Sequence, residues 1–329
     1  MINIAICIDN RFVMQAGVFM TSVCVSNTCN DITFYVVSDS LSDDDKVKLT
    51  DAVIKYNKNI EFESLNLNKL KDFPVRKGDH ISLATYYRLL LPVILPESVD
   101  KVLYADCDML VVDNLKDFYD TDISNYSVAM TADMFYDDDK ITTRLLYDVK
   151  DHYFNAGMLL INLKWWRKND IAKKVIAFVI EHKELCLAHD QDALNAVLHG
   201  TILRAPSRYN IQLDFLRKNP SNMIIKDDDV LKESLNSPHS PCIIHFTGPS
   251  KPWHTHSFNP YDPLWDYFQE RTQWKTLQKS EEYVGYMKFK KYIKLILGKL
   301  HIMPALITRY ISVDREILEI KNKFKGIQR

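Results

Sequence analysis

Glycine is scarce in this chain of 329 residues: there are 8, at positions 17, 78, 157, 200, 248, 285, 298 and 326, and no two lie within ten residues of each other. A dinucleotide-binding G-x-G-x-x-G turn, a Walker A loop and a G-x-S-x-G nucleophile elbow all need glycines closer than that, so all three are excluded. Excess charge of one sign is also lacking. The 42 Lys+Arg and 43 Asp+Glu give a formal net charge of −1, which supplies no global drive toward nucleic acid. The six cysteines, at 7, 24, 29, 107, 186 and 242, form no C-x-x-C pair. A zinc ribbon or disulfide framework is therefore not expected, and reduced thiols in a cytoplasmic protein are. No run approaches the roughly 18 apolar residues of a spanning helix. Met1–Cys7 lacks the basic n-region of a signal peptide.

What is present is a core-forming composition, 47% hydrophobic, arranged in alternating segments. Ile4–Ile8, Phe34–Val37 and Val102–Ala105 are short β-branched or aromatic runs of buried-strand type. Val13 to Val25 reads as a helix, and Ser42-Asp43-Asp44-Asp45 as the capped, acidic start of another. A further helix is expected over Ser82–Leu95, ending at Pro96. This rhythm predicts an α/β fold with a mostly parallel central sheet flanked by helices. Asp133–His152 and Arg217–Pro241 read as surface loops, either plain solvated connections or lids over a site.

The near-neutral total hides an asymmetry. Tyr286–Arg329 carries 11 Lys+Arg against 3 acids, a net +8, so residues 1–285 carry −9 (−1 minus 8). A main domain over residues 1–265 and a basic, helical C-terminal appendage over 266–329 are expected. Lys288, Lys290, Lys291, Lys294 and Lys299 interleave with apolar residues as in an amphipathic helix lying on an anionic membrane; the plain alternative is a helix packed on the domain with solvated lysines. A second amphipathic segment runs from Ile311 to Phe324.

Asp106-Cys107-Asp108 follows an apolar strand directly, and two carboxylates one residue apart at a strand end can face one divalent cation. The spacing alone is weak. D-x-D occurs six times among 32 Asp, where composition predicts about three. Position separates them: those at 43, 120, 137 and 227 lie in polar runs that read as solvated surface, whereas the pair at 190 opens a helix. Two more stretches stand out. Phe154-Asn155-Ala156-Gly157 leads into Met158–Leu163, its glycine marking a close approach of backbone to ligand. Ile243–His254 runs from a strand into a loop and holds His245, Gly248 and Lys251.

Tyr86–Pro92, Val102–Asp108, Phe154–Leu163 with Trp166-Arg167, Asp190–Asn195 and His245–His254 occur in one order. Together they resemble glycosyltransferase family 8, retaining enzymes of GT-A fold, and within it the bacterial lipopolysaccharide α-glucosyl- and α-galactosyltransferases. The likeness runs from Ile4 to about Trp265. It implies that Asp106, Asp108 and His245 bind Mn²⁺, with Mg²⁺ as the other candidate, and that the ion bridges the phosphates of UDP. Lys251 and the backbone near Gly248 would reach the diphosphate. Arg88, Asn155, Asp190 and Gln191 are implied as donor-sugar contacts, Cys107 and Ala156 as donor-site neighbours in the same motifs, and Asp9 and Phe12 as uracil contacts. Relatives often read Asp-Asp-Asn-Tyr where this chain has Asp9-Asn10-Arg11-Phe12.

The function implied is transfer of glucose or galactose from UDP-glucose or UDP-galactose to a lipid-linked saccharide acceptor, with no role for nucleic acid, at the inner face of the cytoplasmic membrane. Asp190 and Gln191 are the implied catalytic pair. Gln191 is an amide, a poor nucleophile, so front-face attack by the acceptor is favoured over a covalent step through Asp190. A sugar nucleotidyltransferase and a non-catalytic UDP-sugar-binding protein remain as rivals. The glycine scarcity speaks against the first and the intact Asp106, Asp108 and His245 against the second.

Overall fold

The computed structural model of the protein describes residues 1–64, 83–281 and 309–327. Nine strands are labelled here: β1 (Ile2–Cys7), β2 (Ile32–Ser38), β3 (Asn59–Ser64), β4 (Lys101–Ala105), β5 (Met109–Val111), β6 (Val128–Ala132), β7 (Phe154–Asn162), β8 (Ile202–Ala205) and β9 (Ile243–His245). Among the described residues they form a 7-stranded sheet of order β3-β2-β1-β4-β7-β6-β8 and a 2-stranded ribbon β5-β9. β7 pairs antiparallel with both β4 and β6; the other pairs in the large sheet are parallel. The expected mostly parallel α/β sheet is thus what the chain builds.

Strand alternation divides the core in two. Ala5, Tyr35, Val37, Val102, Tyr104, Leu159 and Ile161 face one side, where Trp166, Val175 and Leu194 of the helices Leu163–Lys168, Ile171–Glu181 and His189–Leu198 cover them. Ile4, Ile6, Phe34, Val36, Leu103 and Leu160 face the other, under Phe19 and Val23 of the helix Val13–Ser26 and Leu49 of the helix Asp43–Ile54. Ser42 caps that second helix with a reciprocal Ser42–Asp45 capping box.

Three expectations needed adjustment. The segment expected to be a helix over Ser82–Leu95 is 3-10 over Leu83–Leu90, followed by one α-turn, Leu91–Ile94. Pro92 has no N–H to give the Arg88 carbonyl, so an α-helix does not run through the junction. The stretches 133–152 and 217–241 are not free loops. They contain the helices Asp139–Arg144 and Asp228–Asn236, and they are joined where Ile224 N–H donates to the Met134 carbonyl and Asp137 N–H to the Ile224 carbonyl. Asp137 is 7% exposed, not solvated, because its carboxylate accepts from Lys226 N–H and Asp227 N–H and faces His152.

The lysine-rich stretch 288–299 lies outside the described residues. The later amphipathic segment forms the helix Asp314–Lys323, whose Ile317 and Ile320, with Phe324 just beyond, are buried against Tyr261, Trp265 and Phe268. That face belongs to the protein core. Among the described residues no helix is long and apolar enough to cross a membrane.

Candidate active site

Because β1, β2, β4 and β6 run the same way, their C-terminal ends share one rim, where ligand-binding residues of such sheets collect. Each of these strands is followed there by a carboxylate: Asp9, Asp39, Asp106 and Asp133. β7 runs in reverse and starts at this rim with Phe154-Asn155-Ala156-Gly157, while β5 and β9 bring Asp108 and His245 alongside, Met109 standing opposite His245.

One carboxylate oxygen each of Asp106 and Asp108 and a ring nitrogen of His245 all lie within 4.8 Å of one another. Asp108 Oδ1 is buried, makes no hydrogen bond and stands 3.3 Å from His245 Nε2. A buried carboxylate oxygen left without a partner is costly, and an O,O,N set with an orphaned oxygen fits a divalent cation such as Mn²⁺. The other oxygen, Oδ2, faces Lys251 Nζ at 2.7 Å, and Lys251 also donates to the Phe246 carbonyl at 2.7 Å. Burial opposes ionisation of Asp108, but the Lys251 ammonium beside it outweighs burial and holds the carboxyl well below the usual range. Cys107, between the two aspartates, is kept as a thiol by burial and by their charges.

Arg88 organises the other side of Asp106. It is 6% exposed and meets Asp106 Oδ1 at 3.0 Å and the Ala156 carbonyl at 2.6 Å. Its Nε is also 2.9 Å from Asp190 Oδ2, an ion pair without hydrogen-bond alignment. The guanidinium stacks 4.4 Å above the Tyr104 ring, and the Tyr104 hydroxyl donates to Asp106 Oδ1 at 2.5 Å. Burial pushes the Asp190 carboxyl up to about 6; Arg88 pulls against that and Asp106 adds to it.

Gln191 is fully engaged. Its Oε1 accepts from Ala156 N–H at 3.0 Å, and its Nε2 donates to Tyr153 Oη at 3.0 Å and to Asp133 Oδ2 at 3.3 Å. The Tyr153 hydroxyl in turn donates to Asp192 Oδ1 at 2.6 Å, and Arg144 pairs with Asp192 at 2.8 Å. Asn155 Nδ2 donates to Asp133 Oδ2 at 3.0 Å. Burial raises the Asp133 carboxyl despite these two amides.

Asp9 and Phe12 sit farther along the rim. The Asp9 carboxylate is taken up by Arg11, whose Nη2 is 2.7 Å from Oδ2, and it also caps the short 3-10 turn Asn10–Phe12. Phe12 is half-buried against two of the core clusters. Gly248 has φ +84°, a conformation that favours glycine, in the turn leading to Lys251. The single glycine of the Asn-Ala-Gly stretch proves to be required by a protein side chain: the ring of His245 occupies the space beside Gly157.

Sequence reasoning did not single out Asp133, Tyr153 or Asn210. Asp133 carried a signal that could have found it, since it ends the apolar run Val128–Ala132 as Asp106 ends Lys101–Ala105. Tyr153 and Asn210 carry none, because their role comes from partners distant in sequence.

An Asp-x-Asp at a strand end is thus completed by a histidine and flanked by an arginine and a lysine at one rim of a mostly parallel sheet. The family model for glycosyl transferase family 8 matches residues 3–257. General stress protein A of Bacillus subtilis (strain 168) is 30% identical over 281 residues, covering 84% of this chain and 95% of its own. The lipopolysaccharide 1,2-glucosyltransferase of Escherichia coli (strain K12) is 24% identical over 307 residues, covering 93% of this chain and 88% of its own. Among solved structures, the galactosyltransferase LgtC in complex with donor and acceptor sugar analogs superposes with a TM-score of 0.75 at 27% identity, covering 88% of this chain and 100% of that one. The chain belongs to glycosyltransferase family 8.

Proposed function

We propose that this chain is a retaining, Mn²⁺-dependent hexosyltransferase that moves glucose or galactose from a UDP-sugar to a saccharide acceptor of a bacterial surface glycan. The observation that carries the reading is the facing pair of His245 Nε2 and the orphaned Asp108 Oδ1, with Asp106 beside them. The similarity to lipopolysaccharide glucosyl- and galactosyltransferases supports the substrate class. We assign residues 1–265 to catalysis and 266–329 to a basic C-terminal part that brings the enzyme to the membrane face where lipid-linked acceptors lie.

Asp106, Asp108 and His245 would hold the ion, which supplies a Lewis acid for the leaving diphosphate. Lys251 adds a second positive charge on the same side, and Arg88 holds Asp106 from behind. Fixed charges of this kind stabilise developing charge without reorganising, usually the largest catalytic contribution. On the sugar side, Asp190, Gln191 and Asn155 orient the donor. The Gln191 oxygen is already an acceptor for Ala156 N–H, and Asp190 is tied to Arg88. The Gln191 amide is a poor nucleophile and Asp190 is charge-paired with Arg88, so we favour attack by the acceptor hydroxyl on the face from which UDP departs over a covalent step through Asp190.

A panel of UDP-sugars assayed for Mn²⁺-dependent UDP release tests the proposal and identifies the donor. Asp108→Asn should reduce transfer at least 100-fold, as loss of a principal electrostatic group does. Full activity of that variant in EDTA would overturn the metal-dependent reading.

A further inference from the structure

The groups behind His245 admit one arrangement of donors and acceptors. The Gly157 backbone N–H can only donate, and it points at Asn155 Oδ1 at 3.0 Å, which fixes the orientation of that amide. Asn155 Oδ1 also receives Asn210 Nδ2 at 2.9 Å. Asn210 is therefore turned with its oxygen toward His245 Nδ1, 2.9 Å away. An amide oxygen only accepts, so the proton lies on Nδ1. In the neutral ring Nε2 is then a lone pair, aimed at Asp108 Oδ1.

Asn210 has no freedom to do otherwise. It is 0% exposed, and its neighbour Ile211 is bound on both backbone groups, Ile211 N–H to the Ile243 carbonyl and the Ile211 carbonyl to His245 N–H, each at 2.9 Å. The register that places Ile211 beside Ile244 sets the Asn210 and His245 side chains together.

We propose that Asn210 is a positioning residue that sets the tautomer and ring orientation of His245, taking its own direction from the Gly157 N–H through Asn155. The consequence for cation binding rests on the metal reading above; the tautomer does not. Outer-shell partners of metal-binding histidines act in this way, and their removal commonly weakens metal affinity 10- to 100-fold.

The test is ¹⁵N NMR of histidine-labelled full-length protein at pH 8 without metal, with His245 assigned by its loss in His245→Gln. The expected result is a protonated Nδ1 and an unprotonated Nε2 in the wild type. Asn210→Leu should give mixed tautomers and bind Mn²⁺, measured by EPR of the free ion without nucleotide, about 10- to 100-fold more weakly. Asn210→Asp gives up the donor to Asn155 Oδ1 but keeps an acceptor at Nδ1, and should therefore keep the tautomer. A protonated Nε2 in the wild type overturns the proposal and needs no variant to fold. An unchanged tautomer and Mn²⁺ affinity in folded Asn210→Leu overturns it as well. An Nδ1–H ring in a wild type that binds no Mn²⁺ supports the role of Asn210 and overturns the metal reading instead.

Discussion

A Cβ placed on Gly157 would lie 2.4 Å from Cε1 of His245, a separation at which one of the two must move. The ring is pinned by Asn210 at Nδ1, itself 2.8 Å from that Cβ, so it has little room to give. Gly157→Ala should therefore displace the imidazole, raise the Mn²⁺ concentration needed for half-maximal UDP release at least tenfold, and cost about 1–3 kcal/mol of stability through overpacking. Metal titrations of activity alongside urea denaturation check both parts.

Arg88 binds three groups at once: Asp106, Asp190 and the Ala156 carbonyl. Arg88→Lys keeps the charge but offers a single ammonium in place of the planar fork, so at least one buried carboxylate loses its partner. Breaking a buried pair in this way costs about 3–5 kcal/mol. Chemical denaturation should show a loss of that order, and donor turnover should fall with it; near-wild-type stability would remove the structural role assigned to the arginine.

Asp190 gives a pH dependence whose sign can be worked out. The ordinary value for its carboxyl is 3.8, and burial pushes it up to about 6 in the folded protein. Between these values the unfolded chain has released a proton that the native state still holds. The contribution of this group to stability is therefore highest below the ordinary value, falls as pH rises through that window, and is level above about 6. Asp190→Asn should lack that decline, so urea midpoints of the two proteins measured from pH 4 to 7 should converge or diverge only across this interval.

Deleting the C-terminal part is a poor test of membrane binding, because it also removes Ile317, Ile320 and Phe324 from the core. Replacing Lys288, Lys290, Lys291, Lys294 and Lys299 with glutamine keeps those three residues in the chain. Each cation near an anionic surface adds about 1 kcal/mol, so sedimentation with phosphatidylserine vesicles should fall sharply while UDP-sugar hydrolysis in solution is retained. Undiminished sedimentation would assign membrane binding elsewhere.

The parts legible in the sequence were those whose physics is local. The helix Val13–Ser26 and the Ser42 cap follow from short-range pattern, and Asp106-Cys107-Asp108 was marked by the apolar strand before it. What failed was the reading of polarity as exposure. Asp137, in a run of three aspartates, is buried because Lys226 N–H and Asp227 N–H come to it across ninety residues of chain, and no periodicity reports such partners. Asn210 was silent for the same reason. Its importance lies in which neighbour it faces, and that is decided by the register of residues 211 and 243–245.

The reversal of β7 has a chemical consequence. Among the described residues, six strands of the large sheet deliver their carbonyl-terminated ends to the catalytic rim, and acidic side chains follow four of them, so the rim is crowded with acceptors. The one strand that enters from the opposite direction brings backbone N–H groups to the same place. Ala156 N–H orients the Gln191 amide, and Gly157 N–H orients Asn155 and through it Asn210 and His245. Hydrogen bonds need a direction as well as a length, and a single antiparallel strand gives this site its sense of direction.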